Sequence, residues 1–261
     1  MPLRTVNATR YVLALREGGS LPAIVEADDL GMYVVKFRGA GQGTLALVAE
    51  LVAGEIGRVL GLSVPEIVLI EIDAILGRND PDAEIRHLLK ASVGLNLALD
   101  YLPGSTMFDP AARDVIPHEV ASMGVWFDAF VQNVDRTPRN ANLLCWHREV
   151  RFIDHGAALY FHHNWETMPE KATSPFAQIR EHILLPWADD IAGASRVAHE
   201  RLTAEVLRGI LALVPDEWLV GEPASLTAEK RRAEYVDFFV RRLAASEIFE
   251  EEVLRARSLL V

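Results

Sequence analysis

The chain has 261 residues, of which 50% are hydrophobic and 24% are charged, a balance typical of globular proteins that excludes a wholly disordered chain. The net charge is −11, and an acidic chain repels the phosphate backbone, so nucleic-acid binding is not expected as the main activity. Cys145 is the only cysteine, which rules out an internal disulfide and favours the reducing cytoplasm, and no apolar run reaches the length of a membrane span.

The first forty residues are predicted to form an antiparallel sheet. Residues 11–15, 21–27 and 32–37 are short runs rich in branched and aromatic side chains, which favour strands. Turn-forming clusters at residues 17–20 and 28–31 separate these runs. Three consecutive strands joined by tight turns are typical of an antiparallel arrangement.

One helix and two further strands are predicted before residue 104. Apolar residues recur at helical spacing over residues 45–60, and Thr44 is the predicted N-cap. Ile67–Ile72 and residues 95–99 have the composition of strands. A loop is predicted over residues 78–86, where the pattern is ambiguous.

The chain after residue 104 is predicted to be mostly helical. Pro117 begins a helix with large apolar residues on one side, and a polar loop follows at residues 133–142. Leu143–Trp146 and residues 150–153 form a predicted hairpin. Further helical patterns occur near residues 177–185, 196–213 and 227–256.

This order of elements predicts an α+β fold with two lobes. The N-terminal lobe, residues 1–102, contains the antiparallel sheet and one key helix. The C-terminal lobe, residues 103–261, is mostly α-helical. A cleft between two lobes is a common place for a ligand, so we expect the functional residues to face it.

Lys36 is a charged residue in an apolar strand. Alternation places Tyr33 and Val35 on one face of the strand and Lys36 on the other. An exposed lysine on the open face of a sheet is the simpler interpretation. The functional interpretation is an ammonium group that binds nucleotide phosphates, because Val34-Val35-Lys36 is close to the V-A-I-K signature of kinases.

Glu50 lies on a strip of small residues in the predicted helix. Gly54 and Gly57 follow it at helical spacing, and a glycine inside a helix costs about 1 kcal/mol relative to alanine, so close approach of another element is expected there. A glutamate on this strip is placed to hold the Lys36 ammonium group. An ordinary helix-face carboxylate is the alternative, and Glu55 competes for the same role.

The loop at residues 133–142 carries the residue types that phosphoryl transfer needs. A carboxylate must orient and deprotonate the acceptor hydroxyl, and an oxygen ligand must bind Mg²⁺ nearby. Asp135 and Asn140 have the five-residue spacing that kinases use for these groups. Asn142 is a second candidate metal ligand. A turn rich in Asn and Asp is the alternative interpretation.

Asp154 ends an apolar strand, and Gly156 follows two positions later. Kinases place a D-x-G motif here, with the aspartate binding the Mg²⁺ that bridges the β- and γ-phosphates. The predicted hairpin brings Asp154 beside the end of the 133–142 loop, so the metal ligands are expected to converge. An aspartate that caps a turn at a strand end is the alternative.

A phosphate-binding loop is the weakest of these predictions. Residues 17–22 read Glu-Gly-Gly-Ser-Leu-Pro and do not match the G-x-G-x-x-G pattern. Gly19 and Ser20 still provide a backbone N–H and a hydroxyl group for phosphate oxygens. A plain β-turn explains the same residues equally well.

Taken together, these motifs resemble those of HipA-like kinases, a bacterial branch of the protein-kinase-like superfamily. The resemblance rests on residues 133–136 with Asn140, on residues 152–156, on the strand at 35–37 and on the helix and its exit at 50–65. It implies a protein-kinase-like fold, with ATP and Mg²⁺ as cofactors.

The resemblance also implies a role for each matched residue. Asp135 would be the catalytic base, and Asn140 and Asp154 would bind Mg²⁺. Lys36 would anchor the phosphates and Glu50 would hold Lys36 in place.

The same resemblance implies that residues 98–103 form the hinge between the lobes. Leu99, Tyr101 and Leu102 lie in this segment and would face the adenine ring.

These features predict an ATP- and Mg²⁺-dependent kinase that phosphorylates a hydroxyl group, with Ser or Thr of another protein or of the chain itself as the acceptor. A second interpretation is a small-molecule or lipid-headgroup kinase of aminoglycoside-phosphotransferase type, which an acidic pocket built from Asp128, Asp189 and Asp190 would favour. A third is a nucleotide-binding regulator without turnover.

Overall fold

The structure, a computed structural model, describes residues 2–15, 21–41, 43–78, 80–112, 115–220 and 226–260. Five strands and two helices form the N-terminal lobe. The strands are β1 (Thr5–Ala14), β2 (Ala23–Ala27), β3 (Met32–Lys36), β4 (Ile67–Ile72) and β5 (Gly94–Asp100), and the helices are α1 (Thr44–Leu60) and α2 (Ala83–Ala91).

The five strands form a closed barrel in the order β1-β2-β3-β5-β4. The β1–β2 and β2–β3 pairs are antiparallel, as predicted, and β5 pairs antiparallel with both β3 and β4. A parallel pairing of β1 with β4 closes the barrel. This pairing uses residues 5–7, which lie before the predicted strand start at residue 11. The sequence gives little signal for a strand here, because Thr5 and Asn7 are polar and exposed and only Val6 is buried in the barrel core.

Helix α2 occupies part of the segment predicted as a loop over residues 78–86. Asp82 caps the helix by accepting a hydrogen bond from the amide of Glu84 at 2.8 Å. Ile85, Leu88 and Leu89 form its buried face and belong to the apolar core of the barrel. The loop prediction was wrong here because a helix of only nine residues gives a short periodic signal.

The C-terminal lobe is mainly helical, as predicted. Its helices are α3 (His118–Val131), α4 (Met168–Ala172), α5 (Ile191–Arg201), α6 (Ala204–Leu211), α7 (Asp216–Leu219), α8 (Ala228–Ala244) and α9 (Ser246–Ser258). A small sheet contains β6 (Thr106–Met107) and the predicted hairpin of β7 (Leu143–Trp146) and β8 (Glu149–Phe152). The helix predicted at 177–185 is only a 3-10 helix over Ala177–Glu181.

Helix α1 connects the two lobes. It contacts β5 on one side and α3, α5, α6 and α7 on the other. Its first residue is Thr44, so the prediction of Thr44 as the N-cap was wrong by one position. Gly43 is the N-cap, with φ 65°, a conformation that glycine adopts readily. Gly61 ends the helix in the left-handed conformation.

Helix α3 forms the centre of the C-terminal lobe. Trp126, Phe127 and Phe130 are completely buried, and α5 and α9 pack against the helix. None of the helices that the structure describes combines the length and the apolar character needed to cross a bilayer.

Candidate active site

Lys36 and Glu50 form an ion pair where β3 meets α1. The Lys36 Nζ lies 2.9 Å from Glu50 Oε2, and the two side chains are 12% and 0% exposed. The small-residue strip explains how Glu50 is buried. A Cβ at Gly54 would lie 2.6 Å from the tip of the Ile67 side chain, so the glycine leaves room for this side chain of β4 to pack against the helix.

Glu55 does not compete for Lys36. It pairs with Arg58 one helical turn along α1, at 3.3 Å. The prediction that Glu50 rather than Glu55 faces the lysine is therefore consistent with the geometry.

Asp154 also contacts Lys36, so the lysine bridges two carboxylates. Burial alone would lower the pKa of Lys36, but the charges of Glu50 and Asp154 outweigh burial and raise it above its usual range. Burial would likewise raise the pKa of Glu50, whereas Lys36 and His155 lower it to about 2. Both partners are therefore charged at neutral pH.

His155 is a fourth member of this group and was not predicted from the sequence. Its backbone amide donates to Glu50 Oε2 at 2.8 Å, and its ring Nδ1 lies 3.2 Å from Glu50 Oε1. The ring is completely buried and meets the edge of Phe127. Its position beside Asp154 was the only available signal. We call Lys36, Glu50, Asp154 and His155 the active-site cluster.

The loop at residues 133–142 holds the Asp135 carboxylate with two asparagines. Asn140 Nδ2 donates to Asp135 Oδ2 at 2.8 Å, and Asn142 Nδ2 lies 3.4 Å from the same oxygen. A carboxylate can only accept these bonds, so the amide nitrogens must face Asp135 and the amide oxygens must point elsewhere. Asn133 Oδ1 accepts from the Asp135 amide at 3.1 Å and fixes the backbone.

The end of this loop lies against the strand that carries Asp154. The Ile153 amide donates to the Asn142 carbonyl at 3.1 Å, which places Asn142 next to Asp154 as predicted. Asn142 and Asp154 have φ values of 48° and 54°, a left-handed conformation that Asn and Asp tolerate better than most residues. The backbone hydrogen bond therefore places the end of the loop, at Asn142, beside the segment that carries Asp154.

Arg136 lies beneath the loop and was not predicted. Its Nε donates to the Asp128 carboxylate, and its Nη1 donates to the carbonyls of Asn142 and Ile153. His182 Nδ1 accepts from the Leu184 amide at 3.0 Å, so its Nε2 donates to Asp128, at 2.8 Å. We call Asp128, Arg136 and His182 the support cluster.

The electrostatics of the support cluster follow from its burial. Burial favours a neutral carboxyl group, but Arg136 and His182 hold the pKa of Asp128 far below its usual range. Burial lowers the pKa of His182 despite the neighbouring carboxylate. The cluster is therefore one ion pair with a neutral imidazole attached.

The acids named for a cationic substrate pocket do not form one. Asp128 is buried in the support cluster. Asp189 pairs with His118 at 2.6 Å, and Asp190 caps α5 by accepting from the Gly193 amide. Each carboxylate thus has its own local partner, which removes the observation that would have favoured a small-molecule kinase.

The predicted hinge, residues 98–103, overlaps the end of β5, so Leu99 lies in the strand and Tyr101 and Leu102 follow it. Leu99 and Leu102 are 4% and 6% exposed, whereas Tyr101 is half-buried. The Tyr101 amide donates to the Met32 carbonyl at 3.0 Å and so continues the pairing with β3. Adenine binding by these residues stays a prediction. Gly19 and Ser20, named for phosphate binding, lie outside the described residues.

Comparisons with known proteins give the family and the fold of the chain. A family model described as a HipA-like kinase matches residues 10–252. The chain is similar to the Helicobacter pylori proinflammatory kinase CtkA, with a TM-score of 0.62 and 12% identity over 97% of this chain and 99% of that chain. At this identity the likeness shows a shared fold and not a shared substrate.

A second solved structure, the golgi casein kinase, is also similar, with a TM-score of 0.43 and 10% identity over 96% of this chain and 72% of that chain. Comparison with curated proteins gives no significant match.

Proposed function

We propose, from the premise that this chain belongs to the HipA-like kinase family and is a kinase, that it transfers the γ-phosphoryl group of ATP to a Ser or Thr hydroxyl of a protein with Mg²⁺ as cofactor. The observation that carries the proposal is the contact of Lys36 with both Glu50 and Asp154. Lys36 and Asp154 are 118 positions apart in the chain. An ammonium group between two such carboxylates is the arrangement by which kinases position a nucleotide.

The predicted ligand atoms have the chemistry that Mg²⁺ prefers. Within the described ranges no group of three His, Cys, Asp or Glu side chains forms a metal site. The ligands that we propose for Mg²⁺ are therefore one carboxylate, that of Asp154, and the amide oxygens of Asn140 and Asn142. Mg²⁺ prefers such hard oxygen donors and few protein ligands. When bound, it would neutralise charge on the β- and γ-phosphates.

Asp135 is the base in this proposal. Asn140 and Asn142 both approach Oδ2 of the carboxylate, which leaves Oδ1 to accept the proton of the acceptor hydroxyl. The hydroxyl oxygen bonds to the γ-phosphorus while the bond from that phosphorus to the β–γ bridging oxygen breaks, and the proton passes to Asp135. Lys36 binds the phosphates, and Glu50 keeps its ammonium group in place.

The presence of every residue that this step needs argues against a regulator without turnover. Lys36 contacts both Glu50 and Asp154, and Asn140 donates a hydrogen bond to the Asp135 carboxylate. A catalytically silent nucleotide-binding protein does not require a base and metal ligands in the same cleft.

Incubation of the purified chain with γ-labelled ATP, Mg²⁺ and serine- or threonine-containing peptides tests the proposal. We expect label on peptides or on the chain itself, equimolar ADP, and loss of both with EDTA or in the Asp135→Asn variant. ATP binding without ADP formation would favour the regulator. ADP formed only with added aminoglycosides or lipid headgroups would favour the small-molecule kinase.

A further inference from the structure

A cavity of about 240 Å³ lies between residues 171–178 and the start of the loop at residues 133–142, which we call the catalytic loop. Val134, which directly precedes Asp135, lines the cavity and is 38% exposed. A protein acceptor must bring its hydroxyl group to Asp135, so the residues beside that hydroxyl must pass over the surface around Val134. This step, and the inference that follows, rest on the proposed function.

The wall opposite Val134 is held by a buried side chain. Gln132 is 3% exposed, and its Nε2 donates to the Lys171 carbonyl at 2.8 Å and to Ser174 Oγ at 3.0 Å. Its backbone is left-handed, with φ 56°. An amide that is buried between these two groups fixes the distance from the catalytic loop to the 171–178 segment.

Arg242 of α8 holds the same wall from behind. Its Nη1 donates to the carbonyls of Lys171 and Ser174 at 3.0 and 3.1 Å, and its other nitrogens donate to the carbonyls of Ala129 and Phe130. The side chain is fully buried, and burial lowers its pKa to about 9. A buried charge is costly unless it is hydrogen-bonded, and here the hydrogen bonds of Arg242 tie the Lys171 and Ser174 carbonyls to helix α3.

Phe176 adds strain to the same wall. It lines the cavity, is buried, and has φ 58°. A bulky residue in the left-handed region is uncommon, and such strain is found most often at functional sites. The cavity is therefore a preformed feature and not a gap in loose packing.

The size and lining of the cavity indicate what it binds. Pockets for small molecules usually measure about 300 to 1,000 Å³, so a cavity of about 240 Å³ lies below that range but has room for a large amino-acid side chain. Among the lining residues that the structure describes, only Lys171 is charged, although the chain has a net charge of −11. The apolar lining residues are Val134, Tyr160, Phe161, Pro175, Phe176 and Ala177.

We infer that this cavity, the acceptor pocket, binds an apolar side chain that neighbours the phosphorylated Ser or Thr of a protein substrate. Lys171 favours an acidic residue close to that apolar one. The class of substrate is therefore a protein segment with an apolar and an acidic residue near the hydroxyl. A cationic small molecule would meet the wrong charge.

The test uses peptides with one central serine in which each flanking position is varied in turn, with γ-labelled ATP and Mg²⁺. At one flanking position we expect Leu or Phe to give a kcat/KM about tenfold higher than Lys. Ala177→Glu should reduce this preference to less than about threefold, because it places a carboxylate in the apolar lining. Val115→Glu, at a residue that is 82% exposed outside the pocket, should keep it.

A second pair of variants tests the charge. Lys171→Glu should replace the preference for an acidic neighbour with a preference for a basic one, and Lys90→Glu, at an exposed residue of α2, should not. Circular dichroism checks that each variant folds, and Tyr160→Ala, at a residue that is 58% exposed, serves as a second pocket variant.

The outcomes separate the two proposals. If no peptide is labelled and the chain is not labelled, the proposed function fails and this inference fails with it. If peptides are labelled without preference for an apolar neighbour, or if Ala177→Glu and Tyr160→Ala keep the preference, only the acceptor pocket is overturned. Equal effects of Lys171→Glu and Lys90→Glu would overturn the role of Lys171.

Discussion

The active-site cluster and the support cluster use the same chemical groups and differ in exposure. The Arg136 and Asp128 side chains of the support cluster are both 0% exposed. In the active-site cluster the exposure rises from 0% at Glu50 to 12% at Lys36 and 44% at Asp154. The support cluster can only position the backbone, whereas the active-site cluster ends in groups that a ligand can reach.

This difference explains how a buried charge can serve a site that it never touches. Arg136 is bound to Asp128 and to the carbonyls of Asn142 and Ile153, so it joins the catalytic loop to the strand that leads to Asp154. A buried ion pair is weak evidence for net stability, but removal of one partner is strongly destabilising. The two clusters should therefore respond to mutation in opposite ways.

The largest expected effect is on stability, in the support cluster. Asp128→Ala leaves the buried guanidinium group of Arg136 without its carboxylate, so we expect the free energy of unfolding to fall by about 3 to 5 kcal/mol. Urea denaturation followed by circular dichroism measures this. Asp189→Ala, which removes an exposed carboxylate that pairs with His118, is the matched control and should leave the free energy of unfolding nearly unchanged. Similar losses in both variants would contradict the comparison.

Asp154→Asn should show the reverse pattern in the active-site cluster. Asn tolerates the left-handed backbone at this position, and Lys36 keeps its pair with Glu50, so stability should change little. We expect kcat to fall by about 10² to 10³-fold because the metal-binding carboxylate is lost. Steady-state ADP formation beside urea denaturation measures both quantities. Near-normal turnover would show that Asp154 has another role.

Acidification should weaken the active-site cluster through Glu50. Its pKa is about 2 in the folded chain against an ordinary value of 4.5, so the unfolded state binds more protons between these values. The stability that Glu50 contributes is present above about pH 4.5 and is lost as pH falls towards 2, a loss on the order of 3 kcal/mol. Urea denaturation from pH 7 to pH 3 should show a smaller loss of unfolding free energy in Glu50→Gln than in the unchanged chain. Parallel pH profiles for the two proteins would exclude this role of Glu50.

The sequence predicted the groups that act through spacing and missed those that act through burial. Lys36, Asp135 and Asn140 follow local patterns, and Lys36 contacts Asp154 in the cleft where the functional residues were expected to lie. His155 reaches Glu50 across 105 positions and His182 reaches Asp128 across 54. No local pattern encodes such partners, because they are set by how α1 and α3 pack.

The fold was likewise predictable where it depends on local patterns and not where it depends on long-range pairing. The two lobes, the strands and the principal helices follow from periodicity. The parallel pairing of β1 with β4 does not, because it joins polar residues to a strand about sixty positions away, and long-range pairing carries no local signal.

The smallest expected effect concerns His155, which links the two ends of the active-site cluster. Because its amide and ring both contact Glu50, we expect it to position the Lys36–Glu50 pair. His155→Leu keeps the backbone bond and loses the ring bond, so kcat should fall about tenfold, or by roughly 1.4 kcal/mol, the usual size of one hydrogen bond to a charged group. His155→Asn places an amide nitrogen where the ring Nδ1 lies, and should restore most of kcat.

A role in packing alone predicts the opposite order, because leucine fills the space beside Phe127 better than asparagine does. The ratio of kcat between the two variants therefore distinguishes positioning of Glu50 from packing.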